Sequence, residues 1–337
     1  ILVVMQIVRL AKSSDCNQIF ELIKDGDPGM TTLPKSKQEV KERINWSISS
    51  INKKKLSDSK DCYLFVLQEN KKIIGISAIY TSVSKNGSSI FFRRKKKKIS
   101  SKSLNFTKDL DVIQLYKVKK AYTELGTLFL HPNFRGKGRG SLLSLARFKF
   151  MALWSERFNN NIVAEIRGKV DKDNQSIFWK YFSKYFFNEE LFNNDEISYI
   201  DNNFITESIP KHPFLLDPLN KKAQIIIGKP NDNAYPAFKM MQSQNFEPNG
   251  LVDIIDAGPC LDCRINNIEL IKTNKIVKVQ SFGVPKKDYI GLISNTTLKN
   301  FRVVRSHYSM EGDKVNLHRS LFKDLSLTKR GKVAINA

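Results

Sequence analysis

A strand, a basic glycine-rich turn and an apolar helix follow one another between residues 122 and 158 of this sequence. β-Branched, aromatic and aliphatic residues dominate 122–130 and predict a strand. The next stretch combines three glycines with three cations, and the residues after it leave almost no polar face, which predicts a buried helix. This order places a positively charged turn at the N-terminus of a core helix.

The turn has the properties of an anion-binding site. Its residues are Arg135, Gly136, Lys137, Gly138, Arg139 and Gly140, and Ser141 is placed to cap the helix. Glycines let backbone N–H groups approach an anion, and the unpaired N–H groups of a helix N-terminus favour phosphate. Arg135 and Arg139 can add charge-assisted hydrogen bonds. The alternative interpretation is a basic glycine turn on a solvated edge.

The spacing of the turn is Arg135-x-x-Gly138-x-Gly140. It lacks the Lys-Ser/Thr ending of a P-loop and the G-x-G-x-x-G spacing of a dinucleotide-binding turn. Between a strand and a long helix, it resembles the pyrophosphate-binding signature of the GNAT acyltransferases, which hold acyl-coenzyme A. The resemblance implies that residues 135–141 bind the coenzyme A diphosphate and that Leu128, Phe129 and Leu130, at the end of the preceding strand, contact the acyl donor.

The order of the other elements agrees with a fold of this kind. One strand, two helices and two strands are predicted before the key strand, as in a GNAT domain. The predicted fold class is α/β (α+β), GNAT-like, with a mixed central sheet, helices on both faces and a small C-terminal β-rich appendage. The predicted segments are 5–190 for the acyl-CoA-binding domain, 191–264 for a second GNAT-like part and 265–337 for the β-rich region.

Composition adds a strong positive charge. Fifty-six Lys and Arg against 33 Asp and Glu give a net charge of +23. Such a charge attracts nucleic acid or anionic membranes, suits a small polyanion such as coenzyme A, or reflects a lysine-rich surface. The six cations at 93–98 have few aromatic neighbours for base stacking, so we interpret the run as an exposed, irregular insertion. Nucleic acid is accordingly not expected as a partner.

Cysteine use and hydropathy indicate the compartment. Cys260 and Cys263 form one C-x-x-C pair, and no second Cys or His pair lies near enough in sequence to complete a zinc site. We predict free thiols in a reducing compartment and no metal. No run of 18 apolar residues suggests a membrane span. The expected location is therefore cytoplasmic, and no membrane partner is expected.

Further blocks resemble one GNAT-like family in particular. They lie at 124–130, 147–152, 163–168, 178–179, 186–187, 211–213 and 258–259. In this order they resemble the arginine N-succinyltransferases, over residues 5–264 and weakly to the C-terminus. The resemblance implies transfer of succinyl from succinyl-CoA to the α-amine of L-arginine, in the succinyltransferase route of arginine catabolism. It also implies small-molecule substrates and no permanently bound cofactor. An oligomer is possible, and the resemblance does not decide the oligomeric state.

One position departs from the family pattern. A His in a G-x-x-H-P stretch is the family's expected proton donor, whereas this sequence has Asn231 there, three residues after Gly228. Asn cannot act as an acid. Either that His is dispensable, or another group such as His212 substitutes for it, or the protein is slow or inactive.

Acyl transfer to an amine needs a base, because an α-amine is mostly protonated at neutral pH. Glu124 is our first choice for that base or for a partner of the substrate guanidinium, and the sequence does not separate the two roles. Glu165 and Arg167, at the end of the next predicted strand, are expected to bind substrate. No Cys–His or Ser–His–Asp arrangement is evident, which favours direct attack. Two other hypotheses are acylation of a different amine and a basic binding protein without turnover.

Overall fold

A computed structural model describes residues 6–24, 26, 32–53, 59–84, 89–186, 207–209, 211–285, 289–328 and 331–336. The chain divides into two compact units that alternate along the sequence. Unit 1 comprises Ile1–Ser82, Thr123–Ile162 and Arg264–Ala337, and unit 2 comprises Val83–Tyr122 and Val163–Cys263. The sequence analysis divides the chain into three consecutive segments instead, and that division stays a prediction. No helix within the described ranges is long and apolar enough to cross a membrane.

The described residues form fifteen strands and eight helices. The strands are β1 (Gln6–Leu10), β2 (Cys62–Glu69), β3 (Lys72–Val83), β4 (Ile90–Ser101), β5 (Phe106–Lys117), β6 (Tyr122–Leu130), β7 (Asn161–Glu165), β8 (Phe214–Leu215), β9 (Glu247–Val252), β10 (Pro259–Arg264), β11 (Lys275–Gly283), β12 (Tyr289–Asn295), β13 (Arg302–Glu311), β14 (Lys314–His318) and β15 (Lys332–Asn336). The helices are α1 (Cys16–Ile23), α2 (Lys37–Asn52), α3 (Arg139–Leu153), α4 (Ile177–Phe182), α5 (Lys221–Ile226), α6 (Tyr235–Ser243), α7 (Glu269–Lys272) and α8 (Leu321–Asp324).

The sheet of unit 1 has the order β13-β1-β2-β3-β6. Nearly every residue of β2 and β3 is buried, because these are continuous apolar runs rather than alternating ones. The two strands form a hairpin whose turn residues, Asn70 and Lys71, both adopt positive φ. That backbone conformation is the one a two-residue hairpin turn requires. The key strand β6 therefore lies beside a buried, tightly connected pair.

Helix α3 is buried on nearly all sides within unit 1, as its apolar sequence predicts. Phe150 in its last turn packs edge-on against Phe65 of β2 and against Phe301, with ring centroids 5.3 and 5.1 Å apart. Aromatic pairs in this geometry add to the free energy gained by burial. The C-terminal end of α3 is thereby held in the core of unit 1.

The C-terminal part of unit 1 is a closed five-stranded barrel. Its strands pair in the cycle β12-β15-β11-β14-β13-β12, with β11 and β14 parallel and the other pairs antiparallel. The interior is filled by aliphatic side chains with Tyr308 among them. Closure leaves this small sheet without free edges. The predicted β-rich C-terminal region is thus confirmed.

Unit 2 contains a sheet of order β7-β10-β9-β4-β5-β8. In its main core, α4 packs against the sheet, and the ring centroid of Phe182 lies 5.0 Å from those of both Phe92 and Phe178.

The interpretation of 93–98 as an irregular insertion is wrong, because β4 and β5 form a regular hairpin of twelve pairs. Arg93 stacks on the Tyr116 ring across the pair, and Arg94 forms an ion pair with Asp111. These cross-strand contacts explain how a cationic run becomes a strand.

Candidate functional site

The turn between β6 and α3 has an unusual backbone. Gly136, Lys137 and Gly138 have φ values of 90°, 50° and 71°, so three successive residues are in the left-handed region. Glycine adopts this region without steric cost, which explains the two glycines that flank Lys137. The turn therefore reverses the chain sharply and delivers it to the first residue of α3.

Several N–H groups of this turn have no acceptor. The N–H groups of Arg135, Arg139 and Leu142 donate to Pro132, Gly136 and Gly138 carbonyls at 3.1, 3.2 and 2.9 Å. Within the described chain, no hydrogen bond is made by the N–H groups of Gly136, Lys137, Gly138, Gly140 and Ser141. Five unpaired donors at the positive end of a fifteen-residue helix make a strong anion site.

The three cations of the turn have different surroundings. The side chains of Arg135 and Lys137 are exposed. Arg139 is only 8 % exposed, and its Nε and Nη2 donate to Glu69 of β2 at 2.7 and 2.8 Å. This pairing holds the pKa of Glu69 below its usual value. Arg139 therefore anchors the start of α3, and its predicted contact with the anion stays a prediction.

A further cation reaches the turn from the barrel. Arg305 of β13 donates from Nη2 to the Ser141 hydroxyl at 3.1 Å. A Cβ atom added at Gly138 would lie 2.4 Å from Arg305 Nη1, so the guanidinium rests directly on that glycine. Sequence reasoning missed Arg305, because it lies 164 residues from Ser141 and in a region of the chain without a motif.

Glu124 lies on β6, ahead of the turn, and is half-buried. Burial raises the pKa of its carboxyl to about 7, and the nearby Arg43 opposes part of this rise. No described residue forms a hydrogen bond with the carboxyl group. A Cβ atom at Gly126 would meet both Glu124 Oε1 and the Tyr80 ring, at 3.2 and 2.7 Å. Glycine at this position therefore lets the carboxyl and the phenol ring lie close together.

Arg43 and Tyr80 complete the surroundings of Glu124, and sequence reasoning missed both. Arg43 of α2 lies over the Tyr80 ring, 5.2 Å from its centroid, and donates a hydrogen bond to the phenol oxygen. The phenol also pairs with Thr127 Oγ1 at 2.7 Å. Thr127 has a φ of 50°, an irregularity inside β6, and its N–H donates to Thr32 Oγ1. The strand is therefore distorted between Glu124 and the turn.

Leu128, Phe129 and Leu130 lie at the end of β6. Phe129 is buried, whereas Leu128 and Leu130 are half-buried on the opposite side of the strand. The Phe129 carbonyl lies against Gly75 of β3, where an added Cβ would be 2.9 Å away. Their expected contact with the acyl donor stays a prediction.

The predicted substrate residues of unit 2 lie at the end of β7. Glu165 is exposed, and Arg167 is half-buried with a pKa lowered by burial. The Asn231 N–H donates to the Arg167 carbonyl at 2.8 Å, so these two positions adjoin. His212 is exposed and forms no hydrogen bond to Arg167 or Asn231 in the described chain.

Asn231 has a structural role in unit 2. It is 9 % exposed, and its Oδ1 accepts a hydrogen bond from the Asn233 N–H at 2.9 Å. It thereby caps the 3₁₀ turn at Asp232–Ala234. An amide that serves as a cap here has no proton-transfer chemistry of its own.

Asp256 lies beside Arg167, and no sequence motif marks it. Its carboxylate accepts a hydrogen bond from the Gly258 N–H at 2.7 Å. Burial raises the pKa of Asp256 to about 7. A Cβ at Gly168 would lie 2.1 Å from the Asp256 carbonyl oxygen, and one at Gly258 would lie 2.1 Å from the Ile166 carbonyl oxygen. The sequence blocks at 163–168 and 258–259 are thus packed backbone to backbone.

Comparisons with known proteins agree with the family resemblance found in the sequence. Residues 6–270 match the family model described as arginine N-succinyltransferase beta subunit. The arginine N-succinyltransferase of Yersinia pestis (strain Pestoides F) is 30 % identical over 93 % of this chain and 92 % of its own length. That of Escherichia coli O6:K15:H31 (strain 536 / UPEC) is 32 % identical, over 89 % and 88 %.

A solved structure gives the same result. Subunit AI of the arginine/ornithine succinyltransferase from Pseudomonas aeruginosa superposes with a TM-score of 0.88, at 25 % identity, over 99 % of both chains. The fold class and the family resemblance that the sequence predicted are confirmed. By the extent of these matches, the chain belongs to the arginine N-succinyltransferase family.

Proposed function

We propose that this chain transfers the succinyl group of succinyl-CoA to the α-amine of L-arginine by direct attack of the amine on the thioester. Family membership supports the reaction class. The single structural observation that carries the proposal is the set of five unpaired N–H groups at residues 136–138, 140 and 141.

The turn supplies the binding energy for the donor. Coenzyme A carries a diphosphate, and unpaired N–H groups at a helix N-terminus bind phosphate oxygens without reorganisation. The exposed side chains of Arg135 and Lys137 add positive charge at the same turn. We assign Leu128, Phe129 and Leu130 to the pantetheine arm, because backbone groups beside the turn can pair with its amides.

Glu124 is the proposed general base. A carboxyl whose pKa lies near 7 can take a proton from the substrate ammonium at neutral pH, whereas an ordinary exposed Glu is too weak a base. Two protons leave the nitrogen as the ammonium becomes an amide, and one of them goes to Glu124 and the other to the departing thiolate. Arg43 keeps the ionised form of Glu124 accessible by opposing the effect of burial.

We assign the remaining predicted residues to substrate binding or to a structural role. Arg167 offers a guanidinium for a substrate carboxylate, and Glu165 offers a carboxylate for the arginine guanidinium. Asn231 holds the position of the family's expected His but serves as a cap, so we assign it no proton transfer. His212 stays the nearest sequence candidate for that role.

The test is an assay of thiol release from succinyl-CoA with the purified protein. We expect release to require L-arginine and to fall when other amines replace it. Normal coenzyme A binding without arginine-dependent release would contradict the proposal. The Asn231→His variant, measured in parallel, is expected to change kcat much less than loss of Glu124 does.

A further inference from the structure

Arg305 is a cation beside the β6–α3 turn that the proposed function does not use. It lies on β13, where it is paired with Leu292 of β12 inside the closed barrel. Its neighbour Val304 is buried in the barrel core, so the backbone at this point is held firmly. The side chain itself is exposed and extends from the barrel to the start of α3.

The contacts of Arg305 leave most of its hydrogen-bonding capacity unused. Of its five N–H donors, one pairs with the Ser141 hydroxyl at 3.1 Å. No carboxylate in the described chain forms an ion pair with it. Glu69, the acidic group nearest the turn, is already bonded through both oxygens to Arg139. An exposed guanidinium held over a glycine, without a carboxylate partner, is available to an anion.

Gly138 shows that this placement is built into the turn. A Cβ atom added to Gly138 would come within 2.4 Å of Arg305 Nη1, and the φ of 71° at Gly138 also disfavours other residues. The N–H groups of Gly138 and Ser141 have no acceptor in the described chain. The guanidinium and these N–H groups therefore border the same small space.

We infer that Arg305 is a ligand of the coenzyme A diphosphate, so that the C-terminal barrel takes part directly in binding the acyl donor. This inference rests on the proposed function, because it assumes that the turn binds a coenzyme A thioester. A guanidinium matches two phosphate oxygens at once, which lysine cannot do. The barrel is thereby a part of the donor site rather than an appendage.

The experiment measures binding by calorimetry with the full-length protein. Coenzyme A, dephospho-coenzyme A, which keeps the diphosphate, and pantetheine, which has no phosphate, are titrated into each variant. We expect Arg305→Ala to raise the Kd of the first two ligands about tenfold and to leave pantetheine binding unchanged. Arg305→Lys is expected to recover part of the loss.

Arg319→Ala is the matched control. Arg319 follows β14 of the same barrel, is exposed, and its side chain forms no hydrogen bond or ion pair in the described chain. We expect its Kd for coenzyme A to equal that of the wild type, which separates a local contact from a general loss of positive charge. Circular dichroism of each variant checks that the barrel is folded.

Three results overturn the inference. Unchanged coenzyme A binding by Arg305→Ala would show that the guanidinium is not a ligand, and tighter binding would show that it obstructs the site. A loss seen with coenzyme A but not with dephospho-coenzyme A would assign Arg305 to the 3′-phosphate and would also contradict it. Failure of the wild type to bind coenzyme A would instead refute the proposed function.

Discussion

Two glycine-containing turns, one in each unit, follow strands β6 and β7 and differ in what their N–H groups do. After β6, five N–H groups of the turn and helix start have no acceptor in the described chain. After β7, the Gly258 N–H bonds to the Asp256 carboxylate, the Asn231 N–H bonds to the Arg167 carbonyl, and Gly168 is packed against the Asp256 carbonyl oxygen. Glycine gives an open anion site in the first turn and close backbone packing in the second. The unpaired N–H group, rather than the glycine, is therefore the structural sign of binding.

The same contrast holds for two carboxyl groups. Burial raises the pKa of both Glu124 and Asp256 to about 7. The Asp256 carboxylate accepts a hydrogen bond from the Gly258 N–H, whereas Glu124 forms no hydrogen bond with a described residue. Burial is the main cause of the raised pKa in both groups, and we propose a catalytic use for Glu124 alone.

The largest expected effect is on turnover. Glu124→Gln keeps the size of the side chain but removes the base, and we expect kcat to fall by about 10²–10⁴-fold. Steady-state kinetics of arginine-dependent thiol release measure this change. The Asp256→Asn variant is the control, and we expect it to keep kcat within a few-fold of wild type while losing about 1–2 kcal/mol of stability. Equal losses of kcat in both variants would remove the distinction between the two carboxyls.

The second prediction compares two glycines by stability. Gly168→Ala forces a Cβ against the Asp256 carbonyl, and we expect it to cost about 3 kcal/mol or more. Gly136→Ala meets no atom within 4 Å and carries only the strain of its φ of 90°, about 1 kcal/mol. Urea denaturation of both variants measures the difference. Similar losses would mean that the two turns are packed alike.

The third prediction concerns charge at the open turn. Removing the exposed side chain in Lys137→Ala should raise the Kd of coenzyme A about fivefold, and the difference should shrink as salt is added. Lys169→Ala in unit 2, which breaks a 2.5 Å ion pair with Asp232, serves as the control and should leave the Kd unchanged. Calorimetry at two ionic strengths provides the measurement. A salt-independent difference would argue against direct contact with phosphate.

The smallest effect is on the pH dependence of stability. Glu124 and Asp256 have raised pKa values in the native state, so between about pH 4 and 6 the folded protein binds more protons than the unfolded chain. These two groups therefore lower the free energy of unfolding as pH rises through this window. Lys149, whose pKa burial lowers to about 6, adds a slope of the opposite sign above about pH 5, because the folded protein then loses a proton that the unfolded chain keeps. Denaturation of Asp256→Asn at several pH values should give a flatter profile, and a steeper one would contradict this.

The sequence predicted the local parts of the site well. Residues 122–141 could be assigned because a strand, a turn with glycines and an apolar helix each have a short-range signature. Residues that depend on distant partners could not. The pairing of Arg139 with Glu69 was not predicted, because the two residues lie 70 positions apart, and Arg305 was missed for the same reason. Local patterns report backbone conformation, whereas side-chain partners are decided by the fold.

The hairpin at 90–117 illustrates the same limit. A run of cations has no apolar alternation, so its strand character depends on the cross-strand partners Val112 and Ile113 and on Tyr116 beneath Arg93. The surroundings of Glu124 are similar, since Arg43 and Tyr80 come from α2 and β3. Glu124 could be proposed as the base from its position on β6, but its raised pKa could not be predicted.

The most direct test of the account is the response of single backbone amides to coenzyme A, measured by ¹⁵N–¹H NMR of the full-length protein. We predict large shifts at saturation for the amides of Gly136, Gly138 and Gly140, and none for Gly168 and Gly258. Binding of coenzyme A that leaves the first three amides unmoved would contradict the claim that the open turn holds the donor's diphosphate.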